Sequence, residues 1–331
     1  FTGSASLDYK IIDGLVLTAT GSYVNNYQNY TYFQKFIQYN ANKASDPNSL
    51  DERDYRWDRT NYDLLLNYDK TFGKHNIKGL LGWHTEKYNY KYTKAYRQNF
   101  PNNELTDINA GDASTQTNEG FTRELAMLSW FARVNYDFAG KYLLEANIRA
   151  DASSRFAEGN RWGYFPSFSA GWVISNESFM KNTSSWLDFL KLRASWGQNG
   201  NENIGAFQYL ATYSFGDLGQ YPFGSDKNSG TQGGYPTRLS NTELTWETSE
   251  QTNIGIDTRF LNGRLSFTFD WYNKKTKDLL ISVPVSSING FTTKAANAGS
   301  IENKGIEVSL GWNDQVGDDF TYGANVNMSY N

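Results

Sequence analysis

Few side chains in this chain are suited to catalysis. It has two histidines, His75 and His84, and no cysteine. Neither histidine lies in a spacing typical of a Ser/His/Asp triad or a zinc site, and there is no phosphate-binding loop or dinucleotide fingerprint. The lack of cysteine also excludes disulfides and thiolate metal sites. The sequence therefore predicts a protein that is not an enzyme and that needs no cofactor.

Oxygen-bearing side chains that could hold a cation occur together at Asn102-Asn103-Glu104 and at Asp107. They lack the loop pattern of an EF-hand. Asn and Asp are also frequent in turns, because their side chains hydrogen-bond to nearby backbone groups. We therefore interpret these residues as a turn and predict no metal site.

Aromatic residues are frequent in two polar segments, around residues 23–39 and 221–235. A tyrosine ring combines apolar area with a polar tip, which suits it to stack on sugars and to dock partners. The same residues could instead form an interfacial girdle and pack against other loops. As contacts to a substrate or to a lid, the candidates are Tyr27, Tyr30, Tyr32, Phe33, Phe36, Tyr39, Tyr221, Phe223 and Tyr235.

The elements that must position these residues are about twelve segments in which apolar and polar side chains alternate. The clearest pair covers 130–138 and 142–151, joined by the turn Ala139-Gly140-Lys141. Alternation with a period of two residues predicts β-strands with one face away from water. Short turns join the segments at one end, and long polar connections, rich in Asn, Gly, Asp, Ser and Tyr, join them at the other: 25–56, 91–121, 152–161, 199–244 and 282–302.

Alternating segments of about ten residues, with short turns at one end and long loops at the other, are typical of an antiparallel transmembrane β-barrel. The sequence therefore predicts an all-β fold of that kind, with about twelve strands present. A soluble sandwich or propeller also alternates, but such folds favour strands of about 5–6 residues. Their loops are also not sorted so consistently into short and long ends.

The composition agrees with a barrel. The chain has 331 residues, 16% of them aromatic, and a mean hydropathy of -0.65. No apolar run approaches the ~18 residues of a membrane helix, but in a barrel only every second residue faces lipid. The aromatic content suits interfacial girdles. A net charge of -4 without a Lys/Arg run indicates no nucleic-acid partner.

Charged residues recur on the polar side of the alternating segments. On a lipid face, Arg or Lys would cost ~2–4 kcal/mol at the midplane, so this side must be wet or packed on polar protein. It could line a polar conduit or a wall against which a plug docks; alternatively, paired charges merely stabilise the wall. The candidates for a lumen-facing or plug-facing role are Asp63, Arg133, Glu145, Arg149, Asp151, Arg193, Asp257 and Arg259.

Five stretches resemble the SusC/RagA-type group of TonB-dependent outer-membrane transporters. Their order and spacing are similar to the middle-to-late barrel of that family, and together they span nearly the whole chain. The stretches are 149–156 (RADASSRF), 163–172 (GYFPSFSAGW), 192–201 (LRASWGQNGN), 244–255 (LTWETSEQTNIG) and 297–307 (NAGSIENKGIE).

The resemblance implies a 22-stranded barrel in the outer membrane of a Gram-negative bacterium, with an N-terminal plug and a TonB-contacting segment. It also implies a SusD-like surface lipoprotein as partner and the import of oligosaccharides or peptides. We expect residues 1–331 to be part of one transmembrane barrel domain in contact with outer-membrane lipid, with the plug and the TonB-contacting segment absent from this chain. The alternatives are a self-contained 12-strand passive pore or outer-membrane enzyme, and a soluble carbohydrate-binding β protein.

Overall fold

The structure, a computed structural model, describes residues 1–215, 221–222, 230–231 and 233–331. Within these ranges it contains twenty β-strands and several short 3-10 helices. None of the helices in the described ranges is long and apolar enough to cross a membrane.

The bounds of the elements follow in chain order. The strands are β1 (Thr2–Ile12), β2 (Leu15–Gln34), β3 (Ile37–Asn40), β4 (Lys43–Ser45), β5 (Ser49–Phe72), β6 (His75–Gln98), β7 (Thr117–Phe138), β8 (Tyr142–Ser153), β9 (Trp162–Val173), β10 (Leu187–Asn201), β11 (Thr212–Phe215), β12 (Tyr221–Pro222), β13 (Gly230–Thr231), β14 (Gly234–Arg238), β15 (Glu247–Phe260), β16 (Leu265–Lys277), β17 (Leu280–Pro284), β18 (Thr293–Asn297), β19 (Ser300–Val316) and β20 (Phe320–Tyr330). The 3-10 helices are Ile108–Ala110, Ala113–Thr115, Ile174–Asn176, Ser178–Thr183 and Ser287–Asn289.

Twelve strands form one antiparallel sheet in the order β1-β2-β5-β6-β7-β8-β9-β10-β15-β16-β19-β20. Each strand pairs with the next of the twelve along the chain, so the sheet is a simple meander. The other eight strands form four small hairpins in the connections: β3–β4, β11–β14, β12–β13 and β17–β18. The predicted all-β fold with about twelve strands is confirmed.

The chain divides into two compact units. The first unit comprises Phe1–Leu7, Ala19–Asp63 and His84–Met127, and the second comprises Asp8–Thr18, Leu64–Trp83 and Leu128–Asn331. Strands β1, β2, β5, β6 and β7 each contribute residues to both units.

The strands reach much farther into the predicted loops than the sequence indicated. The connection predicted at 91–121 contains the end of β6 and the start of β7, and the one predicted at 25–56 contains strand residues over most of its length. In these parts aromatic residues, many of them tyrosines, alternate with polar ones. Because tyrosine has a polar tip, the contrast in hydropathy between neighbouring residues fades although the backbone stays extended. The loop prediction was wrong there for that reason.

The second unit has one strongly apolar face. Register pairs on this face include Leu144 with Ala170, Phe168 with Trp196, and Ala194 with Ile254. Leu144 and Phe168 are 52% and 55% exposed. A contiguous apolar face that no other described part of the chain covers is unfavourable in water, whereas lipid is the environment that suits it.

The side chains on one side of β6 change from apolar to polar along the strand. On β6 the side that carries Leu81 and Trp83 continues with Lys87 and Asn89. In the first unit Lys87 Nζ lies 3.3 Å from Glu124 Oε2, and Asn89 donates to Asp58 Oδ2 at 2.8 Å. Charged pairs on both faces indicate that this part of the strands lies outside the hydrocarbon region.

Aromatic rings stack beside the short turns of the second unit. The rings of Phe138 and Tyr142 are 6.3 Å apart, and those of Tyr142 and Trp172 are 6.4 Å apart. Glu177, in the connection after β9, accepts hydrogen bonds from Lys141 Nζ (2.7 Å) and Trp172 Nε1 (3.2 Å). The contact with Lys141, followed by that with Tyr142, lowers the pKa of Glu177 to about 2. The carboxylate thus ties two adjacent turns together.

Ala194 and Ser195 are neighbours near the middle of β10 and lie on opposite faces. Ala194→Lys places a charge on the apolar face and should lower the free energy of unfolding by about 2–4 kcal/mol. Ser195→Lys places the same charge on the polar face and should change it by less than about 0.5 kcal/mol. Urea unfolding of the intact parent protein in lipid vesicles, followed by tryptophan fluorescence, measures both. Equal losses would contradict the assignment of faces.

Glu177→Gln should lower the unfolding temperature at neutral pH. Because the folded-state pKa of Glu177 is depressed to about 2, its stabilising effect is complete above about pH 4.5 and is lost as the pH falls towards 2. The difference between wild type and variant should therefore stay constant from pH 7 to 5 and shrink below that. Thermal scans in detergent measure it, with Glu158→Gln in an exposed loop as control. A difference that persists at pH 2 would argue against the ion pair.

Candidate functional site

Four aromatic rings from three adjacent strands meet on one face of the first unit. Ring centroids of Tyr55 and Tyr92 lie 5.2 Å apart, and Phe121 lies 5.6 Å from both Tyr92 and Tyr90. Alternation brings them together, since every second residue of a strand points to the same face. We call Tyr55, Tyr90, Tyr92 and Phe121 the aromatic wall.

Charged side chains surround the aromatic wall on the same face. Arg53 donates to both oxygens of Asp51, from Nε at 2.8 Å and from a terminal nitrogen at 2.6 Å. Lys94 Nζ lies 3.8 Å from Asp51 Oδ2 and 3.6 Å from Glu119 Oε1, and the Tyr92 hydroxyl donates to Glu119 at 3.1 Å. We call Asp51, Arg53, Lys94 and Glu119 the ionic frame.

Asp51 of the ionic frame keeps its charge at neutral pH. The hydrogen bond from Arg53 holds the pKa of Asp51 below its usual range, against the opposing effect of burial. Burial, followed by the hydrogen bond to Glu119, raises the pKa of the Tyr92 hydroxyl. Tyr92 therefore remains a protonated donor, and Asp51 remains a carboxylate, over the physiological pH range.

The two cations of the ionic frame and Arg123 also lie over aromatic rings. Arg53 is 5.4 Å from the centroid of the Tyr30 ring, and Lys94 is 5.6 Å from that of Tyr96. Arg123 lies 5.6 Å from the centroid of Phe121. These contacts restrain long side chains that would otherwise be free to move.

Two asparagines hold the connections of the first unit together, because their side-chain amides pair with backbone N–H and C=O groups as a neighbouring strand would. Asn48 accepts from the Phe100 amide at 2.7 Å and donates to the Phe100 carbonyl at 3.1 Å. Asn103 pairs with both backbone groups of Phe36 at 2.8 Å. Phe100 is buried. The polar connections are thus packed structures.

The hydrogen bonds of Asn102 confirm the prediction that the segment Asn102-Asn103-Glu104 forms a turn. Its Oδ1 accepts from the amides of Glu104 and Leu105, both at 2.9 Å. Within the described ranges, no group of three or more His, Cys, Asp or Glu side chains is arranged to hold a metal ion.

The structure separates the aromatic candidates of the segment 23–39. Tyr27 donates to Asp54 at 2.7 Å, whereas Tyr30 lies under Arg53. Asp54 and Arg53 are adjacent in β5 and so point to opposite faces. Only Tyr30 lies next to the ionic frame, whereas Tyr27 faces the other side.

The other aromatic candidates differ in their surroundings. Phe33 packs edge-on against Phe100 at 5.3 Å, Phe36 is clamped by Asn103, and Tyr39 lies 5.8 Å from Lys43 Nζ. Tyr32 and Tyr235 are exposed. Tyr221 is in the short strand β12, and Phe223 lies outside the described residues.

Sequence reasoning missed the aromatic wall itself. Tyr90, Tyr92 and Phe121 fell in or next to a segment that was interpreted as a loop, so their shared face was not considered. The signal was present as tyrosine at every second position, at Tyr88, Tyr90 and Tyr92.

On the polar face of the second unit, Arg193 of β10 contacts a carboxylate on the neighbouring strand β15 and reaches across that strand to another on β16. It donates to Asp257 Oδ2 on β15 at 3.0 Å and to Asp270 Oδ2 on β16 at 2.6 Å. The guanidinium lies directly over Gly255, where a Cβ atom would be only 2.5 Å from Arg193 Cζ. Only glycine leaves room for this crossing.

A second polar cluster joins β7 and β8. Arg149 Nε contacts both oxygens of Asp151, at 2.7 and 2.8 Å, and the guanidinium also donates to Ser129 Oγ at 2.8 Å. Glu145 accepts hydrogen bonds from Asn135 and Asn147. Asp151 is buried, and Ser129 is fully buried.

The remaining charged candidates also have partners. Arg133 donates to Asn147 at 3.0 Å, and Arg259 lies 4.9 Å from the centroid of the Phe189 ring. In the first unit Asp63 pairs with His84 Nδ1 at 2.7 Å. A groove of about 510 Å³ on the second unit's polar face brings together Glu145, Lys191 and Arg193, with Ser169, Ser195 and Asn253 also lining it. The eight charged candidates thus belong to several local networks, and no single network contains them all.

Several motif residues converge on a small core in the loop-side part of the second unit. Phe165 contacts Trp246 at 5.4 Å between ring centroids, and Trp246 contacts Phe156 at 5.5 Å. Leu244 and Phe156 are completely buried. Trp246 also donates to the Arg161 carbonyl at 2.8 Å. These stretches therefore hold the connections in place.

The fold and the two differently lined faces define a class of protein, an outer-membrane β-barrel. The chain belongs to the family described as TonB dependent receptor-like, beta-barrel, which matches residues 1–331. The SusC/RagA-type resemblance is confirmed, and with it the location in the outer membrane of a Gram-negative bacterium. The figure of 22 strands stays a prediction.

Relatives and solved structures agree on this family. TonB-dependent receptor P39 of Formosa agariphila is 35% identical over 331 residues, covering 98% of this chain and 30% of the relative. TonB-dependent receptor SusC of Bacteroides thetaiotaomicron is 31% identical, covering 100% and 32%. The RagAB peptide importer in its 'closed-closed' state matches with a TM-score of 0.88 and 27% identity, covering 99% and 35%. The chain spans about a third of the length of these proteins.

Gly255→Ala should displace Arg193 from its two carboxylates. The loss of charged hydrogen bonds should lower the free energy of unfolding by about 1–3 kcal/mol. Gly171, the register partner of Arg193 on the other neighbouring strand, is the control: a Cβ there meets the flexible end of Lys191 at 3.0 Å and only looser contacts beyond it. Urea unfolding of the intact parent protein compares them. Equal losses would show that the crossing is unimportant.

Proposed function

We propose that the protein containing this chain imports large nutrients, glycans or peptides, across the outer membrane in a TonB-dependent manner, together with a SusD-like surface lipoprotein. The observation that carries the proposal is the match of the whole chain to the TonB-dependent receptor barrel family. The similarity to SusC and to RagAB supports the lipoprotein partner and the size of the cargo.

The two faces of the sheet suit this role. The apolar face, with residues such as Leu144, Phe168 and Ile254, would contact lipid. The polar face, with Glu145, Arg149 and Arg193, would line the lumen or contact a plug. The paired charges keep this face polar without leaving isolated charges at low dielectric.

The share of its relatives that this chain spans, about a third, supports a proposed division of the parent protein. Residues 1–331 would form part of one transmembrane barrel domain. The plug and the segment that contacts the TonB complex would belong to other parts of the same protein. The aromatic candidates of the first unit other than Tyr27, which lies on the opposite face, would contact cargo or the lid together with the aromatic wall.

The alternatives have less support. A passive pore or an outer-membrane enzyme would not be expected to match a TonB-dependent receptor barrel over its whole length. A soluble carbohydrate-binding protein would not be expected to expose an apolar face of this extent. The proposed protein is a transporter with no catalytic step of its own.

A tagged copy of the intact parent protein, purified from detergent-solubilised outer membrane, should carry a SusD-like lipoprotein at one-to-one stoichiometry. Mass spectrometry of the co-purified proteins measures this. Uptake of the nutrient should also be abolished in a strain that lacks a functional TonB complex, because energy for import comes from the inner membrane. Purification without a partner, and uptake that is independent of TonB, would instead support a passive pore.

A further inference from the structure

We infer that a pocket among the loop-side connections of the second unit binds an oxyanion, that is, a phosphate or sulfate group. The pocket has a volume of about 560 Å³, and its lining residues all lie outside the twelve strands of the main sheet. The inference goes beyond the proposed import function and does not depend on it. We call this cavity the anion pocket; the lining residues that matter here are Arg238, Ser282, Phe291, Thr292, Thr293 and Lys294.

Two cations line the anion pocket, and none of the described lining residues is a carboxylate. Arg238 and Lys294 are both half-buried, and neither forms an ion pair with a carboxylate of the described residues. Glu202, which directly precedes the lining residue Asn203, lies 3.5 Å from Arg155 Nε instead. Because a half-buried cation without a counter-ion is unfavourable, an anion in the pocket would supply the missing partner.

Backbone carbonyls hold the guanidinium of Arg238 in place. Its Nη2 donates to the Phe207 carbonyl at 2.8 Å and to the Leu210 carbonyl at 3.2 Å. Its Nε is inaccessible to solvent and has no hydrogen-bond partner among the described residues. Contacts with neutral carbonyls orient the side chain but leave its charge uncompensated. A positive charge that is already fixed in position loses less entropy when it binds an anion.

Asn241 joins the connection that carries Arg238 to the one that carries Lys294. Its Nδ2 donates to the carbonyl of Ala295, the residue after Lys294, at 2.9 Å. Its backbone amide donates to the carbonyl of the lining residue Gln208 at 3.1 Å, and Asn241 itself is buried. Three segments of the chain that surround the pocket are thus linked, so the two cations have defined positions before a ligand binds.

Hydroxyl groups complete the set of donors. Ser282, Thr292 and Thr293 line the pocket, and their hydroxyls make no hydrogen bond to another described residue. An oxyanion such as phosphate offers several acceptor oxygens, and its hydrogen bonds to Arg and Lys are about twice as strong as those between neutral groups. A neutral ligand would leave both cations unpaired. The donor set therefore favours an oxyanion.

The pocket has room for more than a single ion. Ile281 and Phe291 add apolar lining, which suits the carbon part of a larger molecule. The long connections of an outer-membrane barrel lie on the extracellular side, where lipopolysaccharide headgroups carry phosphate groups. Two sources thus supply the same chemistry: a soluble phosphate or sulfate ion, and a headgroup phosphate.

Isothermal titration calorimetry of the intact parent protein in detergent tests the inference. Sodium phosphate, sodium sulfate and deacylated lipopolysaccharide are titrated separately, in a buffer without other polyvalent anions. We expect saturable binding of at least one of them. Arg238→Gln and Lys294→Gln should each weaken that binding about 10- to 100-fold, the loss expected for a hydrogen bond to a charged group.

Lys181→Gln is the matched control. Lys181 is an exposed lysine of the same unit, in the 3-10 helix Ser178–Thr183 and outside the pocket lining. This variant removes the same charge and should leave the affinity unchanged. Arg238→Gln also removes the contacts with two carbonyls, whereas the Lys294 ammonium has no partner among the described residues. Lys294→Gln therefore separates a lost ligand contact from a loosened connection, and heat-modifiable mobility in gels verifies that each variant folds.

The outcomes identify the source and decide the inference. An affinity for deacylated lipopolysaccharide well above that for inorganic phosphate identifies the lipid as the source, and a comparable or lower one identifies the soluble ion; both support the pocket. No saturable binding of any of the three, or equal effects of Lys294→Gln and Lys181→Gln, would overturn the inference. Neither result bears on import, which is tested by co-purification of the lipoprotein and by the dependence of uptake on TonB.

Discussion

Pairing of backbone groups in one uninterrupted antiparallel sheet is the constraint on which the rest of this structure depends. In lipid an unpaired N–H or C=O group costs several kcal/mol, so strands that cross the membrane must hydrogen-bond along their whole length. The twelve-stranded meander meets this requirement for its inner strands through short turns. Once the backbone groups of a strand are hydrogen-bonded to its neighbours, successive residues differ only in the face of the sheet to which their side chains point. Because apolar and polar residues alternate along the strands, this arrangement produces one apolar face and one polar face.

Glycine on the polar face lets side chains cross strands. Arg193 lies over Gly255, and Phe131 lies over Gly82, where a Cβ atom would be 2.2 Å from the ring. A side chain at either glycine would force its neighbour away from the sheet. Charges and rings can therefore lie flat on the polar face and find partners two strands away. On the polar face Arg193 is thereby paired with both Asp257 and Asp270.

The polar connections, like the sheet, are held in place by the pairing of hydrogen-bond donors with acceptors. Asn48 and Asn103 pair with backbone groups in the first unit, and Asn297 in the second pairs with Thr245 at 2.9 Å in both directions. A side-chain amide has the same donor and acceptor as a peptide group, so it can close a connection that has no strand partner. These connections can therefore hold a binding surface in place without a large apolar core.

The sequence by itself determined the fold class, the number of strands in the main sheet and the two faces, because alternation is local and each residue's side follows from its parity. It also indicated the family through five stretches of residues. Only the tertiary structure decided which side chains meet. Tyr55, Tyr92 and Phe121 are far apart in the chain and come together because three strands pair in a particular register. Tyr27 and Tyr30 are close in the chain but lie on opposite faces. The tertiary structure also decided where the strands end beyond the apolar face. Aromatic and polar residues there differ little in hydropathy, so only strand pairing shows that the backbone is extended.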